Sequence, residues 1–217
     1  MQFLEEDFSV FSIEGLDERM TAIREIIQPK FQIIGQDLVK TLTDEIGHPM
    51  YLHIAKHARR TVNPPQDTWL AICDNKRGYK QHPHFQVGLF DDHLFIWIAY
   101  IYELPNKEKI ASNFLNNLDQ LEKIIPQDYV ISQNHMQKQA VSRASIDLEK
   151  VLIRFRDIKK AELLIGKQIP ATSPILKDSA ALMEEIKNTV QQLIPIYRLS
   201  NTFIKEPLTR LESNPKM

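Results

Sequence analysis

Hydrophobic and polar positions alternate most clearly over residues 84–103, which read HFQVGLFDDHLFIWIAYIYE. Two runs rich in aromatic and β-branched residues flank Asp91-Asp92, a composition typical of strands joined by a short turn. A two-residue turn there would place Gln86 opposite Trp97. Because side chains alternate along a strand, one face of this hairpin is apolar and is predicted to lie under helices. That face carries Phe85, Val87, Leu89, Leu94, Ile96, Ile98, Tyr100 and Tyr102.

The opposite face of the hairpin mixes polar residues with very small ones. It carries His84, Gln86, Gly88, His93, Trp97, Ala99 and Glu103. Small residues leave space above a sheet, and a tryptophan offers a ligand a surface to pack against. We interpret this face as the floor of a ligand site, with Trp97 as the packing surface and His84, Gln86 and Glu103 fixing orientation. A solvated face and burial under another structural layer are the alternatives.

Positive charge is concentrated in residues 53–84. Six cations stand there against two carboxylates, a net charge of +4 in a chain of net charge −1. Arginine binds phosphate or carboxylate through a planar fork, and lysine supplies a point charge. A solvated run of charge or a protected sheet edge would explain the same residues. The predicted anion-binding residues are Arg59, Arg60, Lys76, Arg77 and Lys80.

The rest of the pattern predicts helices and single strands. Apolar residues at steps of three and four indicate an amphipathic helix over residues 16–46, kinked or divided at Pro29. Further helices are predicted with the N-caps Asn106, Ser145 and Asp178. Strands are predicted over residues 50–57, 68–73, 128–132 and 161–169, although residues 50–57 also fit a helix. The pattern leaves an extended arm at 1–15, a loop at 133–144 and a disordered tail at 206–217.

These elements predict a single α+β domain over residues 1–205, with a largely antiparallel sheet and helices packed on one face. A composition of 43% hydrophobic and 25% charged residues is that of a soluble globular protein. The longest apolar run has nine residues, too few to span a bilayer, and the N-terminus lacks the form of a signal peptide. We therefore expect a cytoplasmic protein with no membrane partner. The lone Cys73 excludes an internal disulfide and is predicted to be buried and inert.

The chain carries no motif that specifies a reaction. GxGxxG, GxxxxGK[ST], GxSxG and CxxC are all missing, so no catalytic residue or cofactor is indicated. The pair His53/His57 lacks the glutamate of an HExxH helix, because Ile54 stands in its place, and the pair His82/His84 lacks a third ligand, so no metal site is expected. Three functions stay open. The first is binding of an anionic small molecule, with or without catalysis. The others are a nucleic-acid-binding module that uses the basic segment and a protein-interaction module.

Several short segments resemble the YktB-like family of bacterial proteins. They are IEGLDERM (13–20), KHARR (56–60), VNPP (62–65), KRGYK (76–80), PHFQVGL (83–89), IYE (101–103) and KKAELLIGKQI (159–169). The similarity covers nearly the whole chain. It implies a single α+β domain similar to the catalytic core of biotin protein ligases and class II aminoacyl-tRNA synthetases. It implies no catalytic residues, because residues 75–80 contain one glycine and only loosely match the adenylate-binding loop of biotin ligases.

Overall fold

The strands form one seven-stranded antiparallel sheet in the computed structural model, which describes residues 1–202. Their bounds are β1 Tyr51–Ile54, β2 Thr68–Cys73, β3 His84–Leu89, β4 His93–Tyr100, β5 Val130–Ser132, β6 Val141–Ser142 and β7 Leu163–Pro170. The order across the sheet is β1-β2-β3-β4-β7-β5-β6. The predicted hairpin is therefore central, and the strand alternative for residues 50–57 is confirmed by β1.

The register of the hairpin is the predicted one. The Phe90 N–H donates to the His93 carbonyl oxygen at 3.0 Å, which closes the two-residue turn. Gln86 lies opposite Trp97. The predicted core face packs against the helices, and its residues from Phe85 to Tyr100 are buried in the main hydrophobic core. Tyr102 is the exception: β4 has already ended, and its side chain is 46% exposed.

Helices cover the apolar face of the sheet, which confirms the predicted α+β class. Their bounds are α1 Glu5–Ser9, α2 Leu16–Ala22, α3 Gln28–Ile46, α4 Lys107–Asn116, α5 Leu118–Ile124, α6 Leu148–Asp157 and α7 Ser179–Asn201. A π-helical turn, Ile23–Ile27, joins α2 to α3 directly before Pro29. Since proline lacks the N–H and crowds the carbonyl one turn earlier, the wider turn accommodates the ring without ending the helix.

Two local predictions were wrong, and a third was right in position only. Residues 5–12 are helical rather than extended, because Asp7 accepts the Leu4 N–H at 2.6 Å and acidic residues fill the first turn. Asn106 occupies the N-cap position of α4 as predicted, but it has a φ of 58° and its side chain makes no capping hydrogen bond. Asp147, not Ser145, caps α6 by accepting the Lys150 N–H at 3.0 Å.

The other terminal elements fall close to their predicted places. Asp178 caps α7 as predicted, and this helix continues through Pro195. The predicted loop at 133–144 contains the short strand β6. The predicted tail at 206–217 lies outside the described residues. None of the helices within residues 1–202 combines the length and the apolar character needed to cross a bilayer.

Candidate functional site

A cavity of about 760 Å³ lies beside strand β1, between this strand and the loop that joins β2 to β3. We call it the edge cavity. It is lined by Leu52, His53, Ile54, Ala55, Lys56, Asn75, Arg77, Gly78, Tyr79, Lys80, Gln81, His82 and Glu103. Its size suits a small molecule.

The charges that line the edge cavity are mostly positive. Lys56, Arg77 and Lys80 face one carboxylate, that of Glu103. Lys80 Nζ lies 3.3 Å from Glu103 Oε1, so this pair is partly neutralised. Lys56 and Arg77 form no ion pair within residues 1–202. The cavity therefore keeps two cations available to an anion.

Hydrogen bonds within the β2–β3 loop hold the backbone that carries Arg77. Asn75 Oδ1 accepts the Arg77 N–H at 2.8 Å, and His82 Nδ1 lies 3.0 Å from Asp74 Oδ1. His53 Nε2 lies 2.8 Å from the Asn75 carbonyl oxygen, so Nε2 is the donor.

Tyr79 closes the inner wall of the edge cavity. Its ring lies 5.6 Å from that of His53 and 4.9 Å from that of His84. Its hydroxyl accepts a hydrogen bond from Trp69 Nε1 at 3.0 Å. Burial raises the pKa of Tyr79 to about 12, so the phenol keeps its proton at neutral pH.

Cys73 is a poor nucleophile. Its side chain is buried, as predicted, and its Sγ lies 3.4 Å from the Asn75 carbonyl oxygen. Burial raises the pKa of Cys73 to about 11, which keeps the less nucleophilic thiol form.

The structure brings three of the nine predicted ligand-binding residues together. Arg77, Lys80 and Glu103 line the edge cavity. Lys76 is exposed beside it, and Arg59 is exposed on the loop that follows β1. Arg60 donates to the carbonyl oxygens of Asn63 at 3.2 Å and Pro64 at 3.4 Å, so it stabilises its own loop.

The other three predicted residues lie beneath the surface. His84, Gln86 and Trp97 are buried, and Trp97 is 4% exposed within a small apolar cluster. His84 Nδ1 donates to the His82 carbonyl oxygen at 2.7 Å, and its Nε2 accepts from Gln86 Nε2 at 3.0 Å. Burial lowers the pKa of His84 to about 4, so its ring is neutral. Of the three interpretations of this face, burial under another structural layer is the one that agrees with the structure.

The small residues of this face accommodate aromatic rings of the sheet itself. A Cβ added to Gly88 would lie 2.7 Å from Cε2 of Phe95. A Cβ added to Gly166 would overlap the Ile96 carbonyl oxygen and lie 3.1 Å from Trp97 Cε3. Phe95 and Trp97 are stacked with centroids 6.0 Å apart. The space that we assigned to a ligand is therefore filled by these rings.

Loops cover this face. His57, on the loop after β1, packs edge-on against Trp69 with centroids 5.5 Å apart. It has a φ of 49°, which is uncommon for a residue with a side chain. Asp67 is 2% exposed, and its Oδ2 has no partner within residues 1–202. Burial raises the pKa of Asp67 to about 6.

A second cavity, of about 640 Å³, lies beyond the end of β4. We call it the dyad cavity, because His135 and Glu162 line it and bond to each other. Its other lining residues are Tyr102, Ile131, Gln133, Asn134, Met136, Gln137, Gln139, Val141, Arg154 and Lys160. No pattern in the sequence predicts this site, because residues 133–144 lack periodicity. The one available signal was Glu162, a charged residue at the start of an apolar strand.

Within residues 1–202, no three or more histidine, cysteine, aspartate or glutamate residues are placed to hold a metal ion. The expectation that the protein binds no metal stays a prediction, to be checked by elemental analysis.

Sequence comparisons match nearly the whole chain, as the resemblance described above does. Residues 3–197 match the family profile described as a domain of unknown function, DUF1054. A UPF0637 protein of Shouchella clausii is 56% identical over 200 residues, which cover 92% of this chain and 95% of the relative. A UPF0637 protein of Oceanobacillus iheyensis is 57% identical over 91% of this chain and 96% of its own length. One from Listeria monocytogenes is 45% identical over 90% of this chain and 96% of its own length. Similarity to the cores of biotin protein ligases and class II aminoacyl-tRNA synthetases stays a prediction.

Proposed function

Because this chain belongs to the DUF1054 (UPF0637) family, whose names state no activity, we propose its function from the edge cavity: it binds a small molecule that carries a phosphate or carboxylate group. The observation that supports this most is the pair of cations, Lys56 and Arg77, that line a cavity without an ion-pair partner among the described residues. A cytosolic location remains part of the proposal.

The neighbouring groups support the same class of ligand. Lys80 can exchange its contact with Glu103 for one with the ligand, since an ion pair that is about one third exposed contributes little to stability. Tyr79 adds a protonated hydroxyl to the inner wall and His53 adds a polar ring. An anion held by an arginine fork, a lysine and a neutral hydroxyl has the polar partners that such recognition requires.

A titration with matched variants tests this proposal. Isothermal calorimetry would measure binding of inorganic phosphate and of AMP to the full chain. We expect Arg77→Gln to weaken binding by about tenfold or more, the usual loss for a charged hydrogen bond. Lys76→Gln removes the same charge from the neighbouring position outside the cavity and should leave the affinity nearly unchanged.

Two results would contradict the proposal. One is equal losses in both variants, which would indicate attraction by overall charge. The other is no binding of either anion by the unaltered protein. The unliganded melting temperature should be the same in all three proteins, because exposed loop charges contribute little to folding.

Nucleic-acid binding is less well supported. Single-stranded nucleic acids need exposed aromatic rings for stacking, yet Trp97 is buried and the hydroxyl of half-buried Tyr79 is bonded to Trp69. The measurement that separates the alternatives is the salt dependence. If the protein binds nucleic acid, its affinity for an oligonucleotide should fall steeply as the salt concentration rises and should not depend on the base sequence.

A further inference from the structure

Glu162 is an almost fully buried carboxylate in the wall of the dyad cavity, 3% exposed. It accepts the backbone N–H of His135 at 2.8 Å and that of Tyr102 at 3.3 Å. Both of its oxygens also lie 2.8 Å from His135 Nδ1. These bonds together hold the pKa of Glu162 below its usual range although burial opposes them, so the group is ionised at neutral pH.

An ionised carboxylate determines the tautomer of the histidine beside it. Since a carboxylate only accepts hydrogen bonds, Nδ1 of His135 must carry the proton that it donates to Glu162. In the neutral ring, Nε2 is then left with its lone pair. Within residues 1–202 this nitrogen has no hydrogen-bond partner, and it is not fully buried. A histidine held in this way by a carboxylate is placed to accept a proton.

The remaining walls of the dyad cavity combine positive charge with apolar surface. Arg154 and Lys160 line it, and neither forms an ion pair within residues 1–202. Large apolar side chains that are about half exposed lie on its rim: Tyr102, Met136 and Val141. Exposed apolar groups beside cations suit a ligand with an anionic group at one end and an apolar body.

We propose that the dyad cavity is a proton-transfer site in which His135 acts as a general base on a ligand that carries an anionic group, an apolar body and a hydroxyl. Arg154 and Lys160 hold the anionic group. The hydroxyl O–H bond breaks, its proton forms an N–H bond with Nε2, and the oxygen keeps the electron pair. Glu162 is the positioning residue: it stays ionised and stabilises the imidazolium. This inference stands apart from the edge cavity and does not depend on it.

Three other groups surround His135 and affect its orientation and its electrostatic environment. The Trp69 ring packs edge-on against it with centroids 6.4 Å apart, which restricts its rotation. Asp67 and His84 are close enough to interact with it electrostatically. The neutral ring of His84 adds no charge. Asp67, whose pKa burial raises to about 6, is the one nearby group whose own charge changes close to neutral pH.

The tautomer can be measured without a ligand. ¹⁵N NMR of the full chain with labelled histidine shows which ring nitrogen carries the proton, and the His135 signals are identified by their loss in His135→Gln. We expect the neutral ring to have its proton on Nδ1 alone, and Glu162→Gln to mix the two tautomers. A proton on Nε2 in the unaltered protein would overturn the proposal even if Glu162→Gln failed to fold.

Ligand binding is tested in the same spectrum with inorganic phosphate and phenyl phosphate. Both should shift the His135 signals, and phenyl phosphate should saturate the shift at a several-fold lower concentration because of the apolar rim. Arg154→Gln should lose the shift, whereas Arg156→Gln should keep it, since Arg156 pairs with Asp157 outside the cavity. No shift in the unaltered protein, or equal shifts in both variants, would overturn the proposal.

The spectrum separates this inference from the proposed function. His53 and His82 line the edge cavity, so their signals report on that site, and Arg77→Gln should alter their response while leaving that of His135 intact.

Discussion

At the scale of single residues, Gly166 shows why the polar face of the hairpin is closed. It lies opposite Trp97 across β7 and β4, and its missing side chain lets the indole ring lie flat on the sheet. From sequence, small residues beside Trp97 indicated space for a ligand. The pattern within one strand cannot show that a neighbouring strand supplies the ring that fills this space.

The close approach at Gly166 predicts a large effect of one methyl group. Gly166→Ala should lower the free energy of unfolding by about 1 to 3 kcal/mol, because the Cβ would overlap the backbone of Ile96, which cannot move without breaking strand pairing. Chemical denaturation measures this. Gly78→Ala is the matched control, since no atom lies within 4 Å of the added Cβ. Equal stability of the two variants would show that the close approach is absent.

Asp67 should make the stability of the folded protein depend on pH. Its folded-state pKa is raised from 3.8 to about 6 by burial, so between these values the folded state binds more protons than the unfolded state. Its contribution to stability is greatest below pH 4 and is lost as the pH rises through about 6. The difference of about two units corresponds to roughly 3 kcal/mol.

The measurement is the stability of Asp67→Asn relative to the unaltered protein from pH 4 to 8. The asparagine variant should gain in relative stability as the pH rises, because it cannot ionise. Asp44→Asn, at an exposed position, should show a constant difference. A flat difference for Asp67→Asn would mean that this carboxylate is solvated or paired.

At the scale of elements, periodicity predicted the strands better than the helix ends. The two-residue turn fixed the hairpin register, because a shift by one residue would expose every side chain of the core face. Helix starts depend on single capping bonds, which the sequence of residues 145–147 leaves ambiguous. Ser145 and Asp147 are both good N-caps, and the 3₁₀ turn that contains Ser145 makes Asp147 the cap.

The capping assignment predicts unequal effects of two alanine substitutions. Asp147→Ala should lower the melting temperature, because the first turn of α6 loses the bond from Lys150 N–H. Ser145→Ala should leave it unchanged, since this exposed side chain caps nothing. The reverse order in a thermal unfolding experiment would restore Ser145 as the cap.

At the scale of the whole molecule, the two cavities flank the turn that follows β4. Glu103 lines the edge cavity and its neighbour Tyr102 lines the dyad cavity.

The sequence predicted the basic segment and three residues of the edge cavity, because charge and turn residues are local features. It could not predict which loops cover the sheet, so His84, Gln86 and Trp97 were assigned to a surface that is buried. The dyad of His135 and Glu162 joins residues 27 positions apart, which no local pattern reveals.

The most direct test of anion binding at the edge cavity is to locate an anion in a crystal. Crystals of the full chain soaked in sodium selenate would reveal the ion by its anomalous scattering. We predict selenate in the edge cavity, within hydrogen-bond distance of Arg77 and Lys80, and its loss in Arg77→Gln. An empty edge cavity with selenate bound at Arg59 or Arg60 would contradict the account.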